Sequence, residues 1–245
     1  MIYKTISTIL FFAVISVSFS QESTTMGSKD RKYCQTYFSA ERSKLLEDYE
    51  TAINQYIACT EINPNESSAF FELAKILFLR SDIEGAKSYA LSAINLERKN
   101  KWYFYFLIQL YRSQFDHEKE AEVWEELLDL DPLNVDYYFD CTMAYLEFKA
   151  YKQALKTLKS YEKNIGYSEQ VFLIKSKIFE EQGEEKKQFK CLQKGIQLFP
   201  KSIFLLEAFA QYYIDKSEYD LANNFYAKIM QIEPNNSIAL LTSYT

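Results

Sequence analysis

Every proline of this 245-residue chain falls in one register. Pro64, Pro132, Pro200 and Pro234 are separated by 68, 68 and 34 residues, so all four share a phase of 34. Three further prolines would fall in the phase of the first about once in 40,000 random placements, so the spacing marks an internal repeat. Arg98 and Gly166 occupy the two slots of this register that lack proline.

Other columns keep the phase. Twelve residues before each slot stand Ala52, Ala86, Glu120, Ala154, Gln188 and Ala222, a position where alanine would let two helices approach closely. Twenty-eight before come Thr36, Phe70, Phe104, Tyr138, Phe172 and Leu206, and twenty-one before come Ser43, Leu77, Tyr111, Tyr145, Phe179 and Tyr213. Between these large plugs, twenty-four before the slot, lie the mostly small Ala40, Ala74, Ile108, Thr142, Ser176 and Ala210. Large and small side chains thus alternate on one face.

Within a unit the apolar residues recur at three- and four-residue spacing in two runs, as in Phe70, Leu73, Ala74, Leu77 and then Ile83, Ala86, Ala90, Ala93. Each run predicts an amphipathic helix. Short polar turns such as Arg80-Ser81-Asp82 and Glu181-Gln182-Gly183-Glu184 part the two runs, and the proline slot ends the second helix. Tyr and Phe together supply 39 residues while Gly supplies 5 and Pro 4, which leaves too little turn chemistry for many short strands.

A 34-residue helical hairpin with these columns resembles the tetratricopeptide repeat. Residues 203–236 match best, with Phe209-Ala210, Tyr213, Tyr219, Ala222, Tyr226 and Pro234 at that family's large, small, aromatic, alanine and proline positions. Residues 33–66 match mainly through Tyr49, Ala52, Tyr56 and Pro64, whereas 101–134 departs by placing Glu120 in the alanine column and Ala121 beside it. The resemblance covers six consecutive units: 33–66, 67–100, 101–134, 135–168, 169–202 and 203–236. It implies an all-α, right-handed α-solenoid of six helix-turn-helix repeats, in which each hairpin is stabilised by its neighbours and no single globular core exists. Residues 237–245 read as a partial repeat or a C-terminal cap.

The N-terminus reads differently. Lys4, the apolar run Ile9–Val17 and Ser18-Phe19-Ser20 predict a signal peptide over 1–20, cleaved before Gln21. The apolar run is about half of the ~20 residues a bilayer span needs. The expectation is therefore a periplasmic or secreted chain, in a Gram-negative envelope, with no membrane insertion after cleavage; residues 21–32 read as a polar linker. Export would place Cys34, Cys59, Cys141 and Cys191 where disulfides form, yet Cys59 and Cys141 read as small core residues.

Nothing in the sequence points to catalysis. The single histidine, His117, sits in a turn and is expected to face water without a ligand cluster, and neither a glycine-rich phosphate loop nor a nucleophile elbow appears. Neither a cofactor nor a metal is implied. The formal charge of −6, from acids spread along the chain, argues against nucleic acid. Acid runs such as Glu118–Glu126 read as solvated helix faces.

What remains is a surface. In the family resembled, the first helix of each hairpin lines a concave groove. Offset from the packing columns, that implies Tyr37, Phe71, Lys75, Phe78, Trp102, Tyr105, Gln109, Arg112, Phe139 and Met143 as partner-binding residues. Later units offer Gln170, Lys177, Glu207, Gln211 and Asp215, so the groove is expected to be aromatic in its first four units and polar after them. Glu41 and Gln109 stand where relatives that clamp a peptide carboxylate place donors or cations, so that specificity does not carry over. The sequence thus predicts a non-enzymatic scaffold for a protein or peptide. The alternatives are a ligand-sensing region of a truncated exported receptor or an accessory subunit of an outer-membrane assembly or secretion complex.

Overall fold

The computed structural model describes residues 27–236, which form twelve α-helices and no strand. In order these are α1 (Ser28–Leu45), α2 (Tyr49–Ile62), α3 (Ser67–Leu79), α4 (Ile83–Leu96), α5 (Lys101–Ser113), α6 (His117–Leu130), α7 (Val135–Glu147), α8 (Tyr151–Asn164), α9 (Glu169–Glu181), α10 (Glu185–Leu198), α11 (Ile203–Ile214) and α12 (Tyr219–Ile232). They alternate as first and second helices of six hairpins, the all-α architecture the repeat calls for.

The periodic columns explain the pairing. All six residues of the alanine column are buried, Glu120 and Gln188 included, and so are all six of the small column from Ala40 to Ala210. The column from Thr36 to Leu206 is buried from Phe104 onward, whereas in the column from Ser43 to Tyr213 only Tyr145 is fully covered. Small residues set how closely the helices approach, and the large ones fill the rim of each contact. Burying such an aromatic or aliphatic side chain contributes about 1.5–3 kcal/mol, so a hairpin needs both columns covered.

Capping follows the same period. Asp48, Asp82 and Asp116 accept from the backbone N–H three residues on, opening α2, α4 and α6, and Asn100, Asn134, Ser168 and Ser202 cap α5, α7, α9 and α11. Seventeen residues before each slot, Glu47, Ser81, Phe115, Lys149, Gly183 and Ser217 all have φ between 58° and 66°, the left-handed conformation that turns the first helix into the second. Only one of the six is glycine.

The chain divides into two compact units, Met1–Ala69 and Phe70–Thr245. In the first, α1 and α2 form one hairpin, joined by Tyr37 edge-on to Tyr56 at 5.6 Å and by Ser43 donating to Gln55 at 3.1 Å. In the second, consecutive helices pack in series from α4 to α12, and the buried side chains form successive clusters spanning α3–α9, α9–α11 and α11–α12. Stability in this unit is therefore carried from hairpin to hairpin.

The expected leader (1–20) and C-terminal segment (237–245) lie outside the described residues, as do 21–26 of the polar linker. Residues 28–32 of that linker instead form the first turns of α1. Asp30 near the helix N-terminus, the Arg31 N–H bonded to Gly27 O at 2.9 Å and the stacking of Tyr33 on Tyr37 extend the helix backward. Cys59 and Cys141 are fully buried, as expected of small core residues, and all four cysteines are free thiols.

Candidate functional site

The candidate site lies in the second unit, on α5, α6 and α7. Helix α5 buries Tyr103, Phe104, Leu107, Ile108 and Leu110, which leaves Trp102, Tyr105, Gln109 and Arg112 as a stripe at three- and four-residue spacing on its other side. Trp102 is 65% exposed and meets Tyr105 edge-on at 5.7 Å. Tyr105 is half-buried, with its ring 6.1 Å from Trp124 of α6 and its hydroxyl 2.9 Å from that of Tyr137 on α7. Burial, reinforced by that hydroxyl pair, holds the Tyr137 phenol well above its ordinary range.

At the other end of the stripe Arg112 reaches Glu120, the residue that breaks the alanine column. Glu120 is 2% exposed and its carboxylate is surrounded by donors. Arg112 Nε lies 2.5 Å from Oε1, Trp124 Nε1 donates to the same oxygen at 3.3 Å, and His117 Nδ1 lies 3.1 Å from Oε2. The Arg112 guanidinium also sits 5.9 Å from the centre of the Trp124 ring. A charge buried in place of a methyl group is tolerated because its oxygens are hydrogen-bonded and a cation faces it. His117 is accordingly half-buried and turned to Glu120, whereas the sequence led us to expect it in water. Glu118, Glu122, Glu125 and Glu126 do face solvent.

Asp140 on α7 completes the constellation. Burial raises its carboxyl above the usual range, and the negative Asp136 and Glu120 add to the effect while Arg112 opposes it. A half-buried carboxyl that ionises reluctantly gains from a cation brought by a partner.

The other expected groove residues divide by burial. Phe71 packs on Tyr103 at 4.5 Å and Phe106 at 5.4 Å, Phe78 on Phe106 at 5.8 Å and Phe139 on Tyr161 at 5.3 Å. These three rings fill joints between helices as well as reaching the surface. Lys75 is held over the Phe71 ring at 5.0 Å and paired with Glu72 at 2.6 Å. Gln109 and Met143 are exposed, Met143 by 50%. Tyr37 belongs to the first unit, half-buried between Tyr33 and Tyr56.

Sequence reasoning missed Glu120, Trp124, Tyr137 and Asp140 as members of the site; the glutamate standing in an alanine column was the signal. It also missed Phe204, 63% exposed on α11 at the same repeat position as Trp102, so the later first helices are less uniformly polar than expected.

Six hairpins in a 34-residue register, with every residue of the alanine column buried, decide what the chain is made of. Its hairpins are of the tetratricopeptide-repeat type. A curated relative, a TPR repeat-containing protein of Methanocaldococcus jannaschii, is 24% identical over 206 residues; the match covers 80% of this chain but only 36% of the relative. No protein-family profile matches the chain. Among solved structures, it is similar to YrrB, described as a TPR protein with an unusual peptide-binding site, at a TM-score of 0.49 and 15% identity over 78% of this chain and 98% of that one. It is also similar to a tetratricopeptide repeat protein of Parabacteroides merdae, at a TM-score of 0.47 and 13% identity over 87% and 98% of the two chains. Likenesses of this size say nothing of what this tetratricopeptide-repeat chain binds.

Proposed function

We propose that the chain is a non-enzymatic scaffold that binds a protein partner, as an extended peptide or a helix, on the exposed stripe of α5 and the adjoining surface of α7. The observation that carries this reading is Trp102, a large ring mostly in solvent, backed by Tyr105 whose own position is fixed by Trp124 and Tyr137. An exposed aromatic on a rigid base costs little entropy to bury, which is what binding hot spots use. Arg112, at the far end of the same stripe, and the reluctantly ionised Asp140 of α7 supply polar groups that fix a partner's orientation along it. The partner's anchor is an apolar side chain, seated against Trp102.

The N-terminal pattern of Lys4, the run Ile9–Val17 and Ser18-Phe19-Ser20 supports an extracytoplasmic location for this scaffold. Placing a photo-cross-linking residue at Trp102 or at Met143, with the exposed Leu221 of α12 as the comparison site, tests the surface. Capture of one defined protein from positions 102 and 143 but not 221, lost when Tyr105→Ala is added, supports the reading. Equal capture from all three positions, or from none, removes it.

A further inference from the structure

The chain is acidic overall, yet its charge is not evenly spread. Residues 151–198, which hold α8, α9 and α10, carry ten lysines against six glutamates, with no arginine or aspartate. The formal charge of −6 for the whole chain averages this away. In the fold, lysines of these three helices converge on one cleft of about 440 Å³.

The floor of the cleft is apolar. Leu155 of α8 and Phe172 and Phe179 of α9 line it, with Phe172 fully covered and the other two half-buried. The rim is cationic. Lys187, Lys190 and Lys194 follow one another at three- and four-residue spacing along one face of α10, and Lys159 rises from α8. The one acid in the lining, Glu162, is already paired with Lys175 at 2.7 Å. Among the described residues Lys159 and Lys190 form no ion pair, and the Lys187–Glu184 pair is an exposed one of the kind worth little. Lys194 is held 4.3 Å over the ring of Tyr167, donating to its hydroxyl at 3.1 Å.

We propose that this cleft docks an acidic peptide segment of a partner protein, whose carboxylates meet Lys159, Lys190 and Lys194 while one apolar side chain enters against Phe179 and Leu155. Charge complementarity chooses the sign of the ligand, and the floor chooses its class. Nucleic acid binds through phosphates and gains nothing from an apolar floor, and the remainder of the chain, strongly negative, repels it. A peptide of alternating acidic and apolar residues uses both parts of the cleft. The surface is distinct from the α5 stripe, because its lining comes from α8, α9 and α10 and from none of α5, α6 or α7, and it does not depend on the reading given to that stripe.

The test uses the full chain and a fluorescein-labelled synthetic decapeptide with eight glutamates around a central Leu-Phe pair, followed by fluorescence anisotropy at low and high salt. Three comparisons accompany it: a Lys159→Glu, Lys190→Glu variant, a Trp102→Ala, Met143→Ala variant, and a peptide with Ser-Ser at its centre. A single-stranded oligonucleotide of equal charge serves as competitor. The expected result is binding that weakens about tenfold or more in the lysine variant and with the Ser-Ser peptide, weakens with salt, and is unchanged in the Trp102 variant. All four substituted residues are exposed, so circular dichroism should report an intact fold for both variants. Absence of binding, equal binding by the lysine variant or the Ser-Ser peptide, or displacement by the oligonucleotide at equal concentration overturns the proposal. Loss of binding only in the Trp102 variant overturns it too and assigns acidic peptides to the α5 stripe.

Discussion

Arg112 Nε lies 2.5 Å from Glu120 Oε1, so an arginine half in water is bonded to a carboxylate that is almost wholly covered. Removing the arginine alone leaves a buried charge short of its cation, although Trp124 and His117 remain beside it. Arg112→Ala is expected to cost about 2 kcal/mol in urea denaturation. Adding Glu120→Ala, which restores the residue usual in this column, should return most of that loss. If the double variant is no more stable than Arg112→Ala, the pair is not the reason the glutamate is tolerated.

The left-handed turn between helices gives a second prediction. Lys149, with φ of 58°, is exposed and bears the strain that Gly183 avoids at the same repeat position. Lys149→Gly should raise stability by about 1 kcal/mol and Gly183→Ala should lower it by a similar amount. Opposite shifts in thermal melting would verify the column; equal and neutral effects would contradict it.

How far the sequence reached is visible in these residues. The register of the prolines and the burial of Ala52, Ala86, Ala154 and Ala222 followed from spacing alone, because close helix packing requires a small side chain wherever it recurs. Glu120 did not follow, because what satisfies it comes from Arg112 of α5 and from His117 and Trp124 on either side of it in α6, and such convergence has no period. Phe71, Phe78 and Phe139 were legible as offset aromatics, but spacing could not say that their rings also close joints between helices. The lysines of α8–α10 were in plain view, yet charge counted over the whole chain hides a cluster that only helix packing assembles.

Glu120 also sharpens what a charge in this column costs elsewhere. Ala222 is 2% exposed and packs with Leu206, Ala210, Tyr226 and Ile229. Ala222→Glu would place a carboxylate among these apolar neighbours, and a loss of about 3 kcal/mol or more follows, concentrated in α11 and α12. A circular-dichroism melting curve that loses its last hairpin early is the expected record; an unchanged curve would remove the idea.

The thiols offer a check on burial that needs no substitution. Burial pushes the Cys141 thiol up to about 12 and those of Cys59 and Cys191 to about 11, so little thiolate exists on any of them at pH 8. Alkylation by iodoacetamide at pH 8, read by mass spectrometry, should label Cys141 about a hundredfold more slowly in the folded chain than in urea. Equal rates in the two conditions would mean that the α6–α7–α8 packing around this residue opens freely.

Asp140 ties stability to the proposed site. Its folded-state pKa lies above the unfolded value, so its favourable contribution is present below the ordinary carboxylate range and is lost as pH rises through the folded value. At neutral pH the ionised group therefore burdens the fold. Asp140→Asn removes that burden, so the variant should melt higher than the parent at pH 7, with the gap closing as pH falls below 3.8, the usual value for an aspartate. The same change removes a negative group that acts on Arg112 at the far end of the α5 stripe, so binding of the partner captured at position 102 should weaken even as the fold gains stability. Such opposite movements mark a residue held for recognition, since a purely structural carboxyl would move both in one direction.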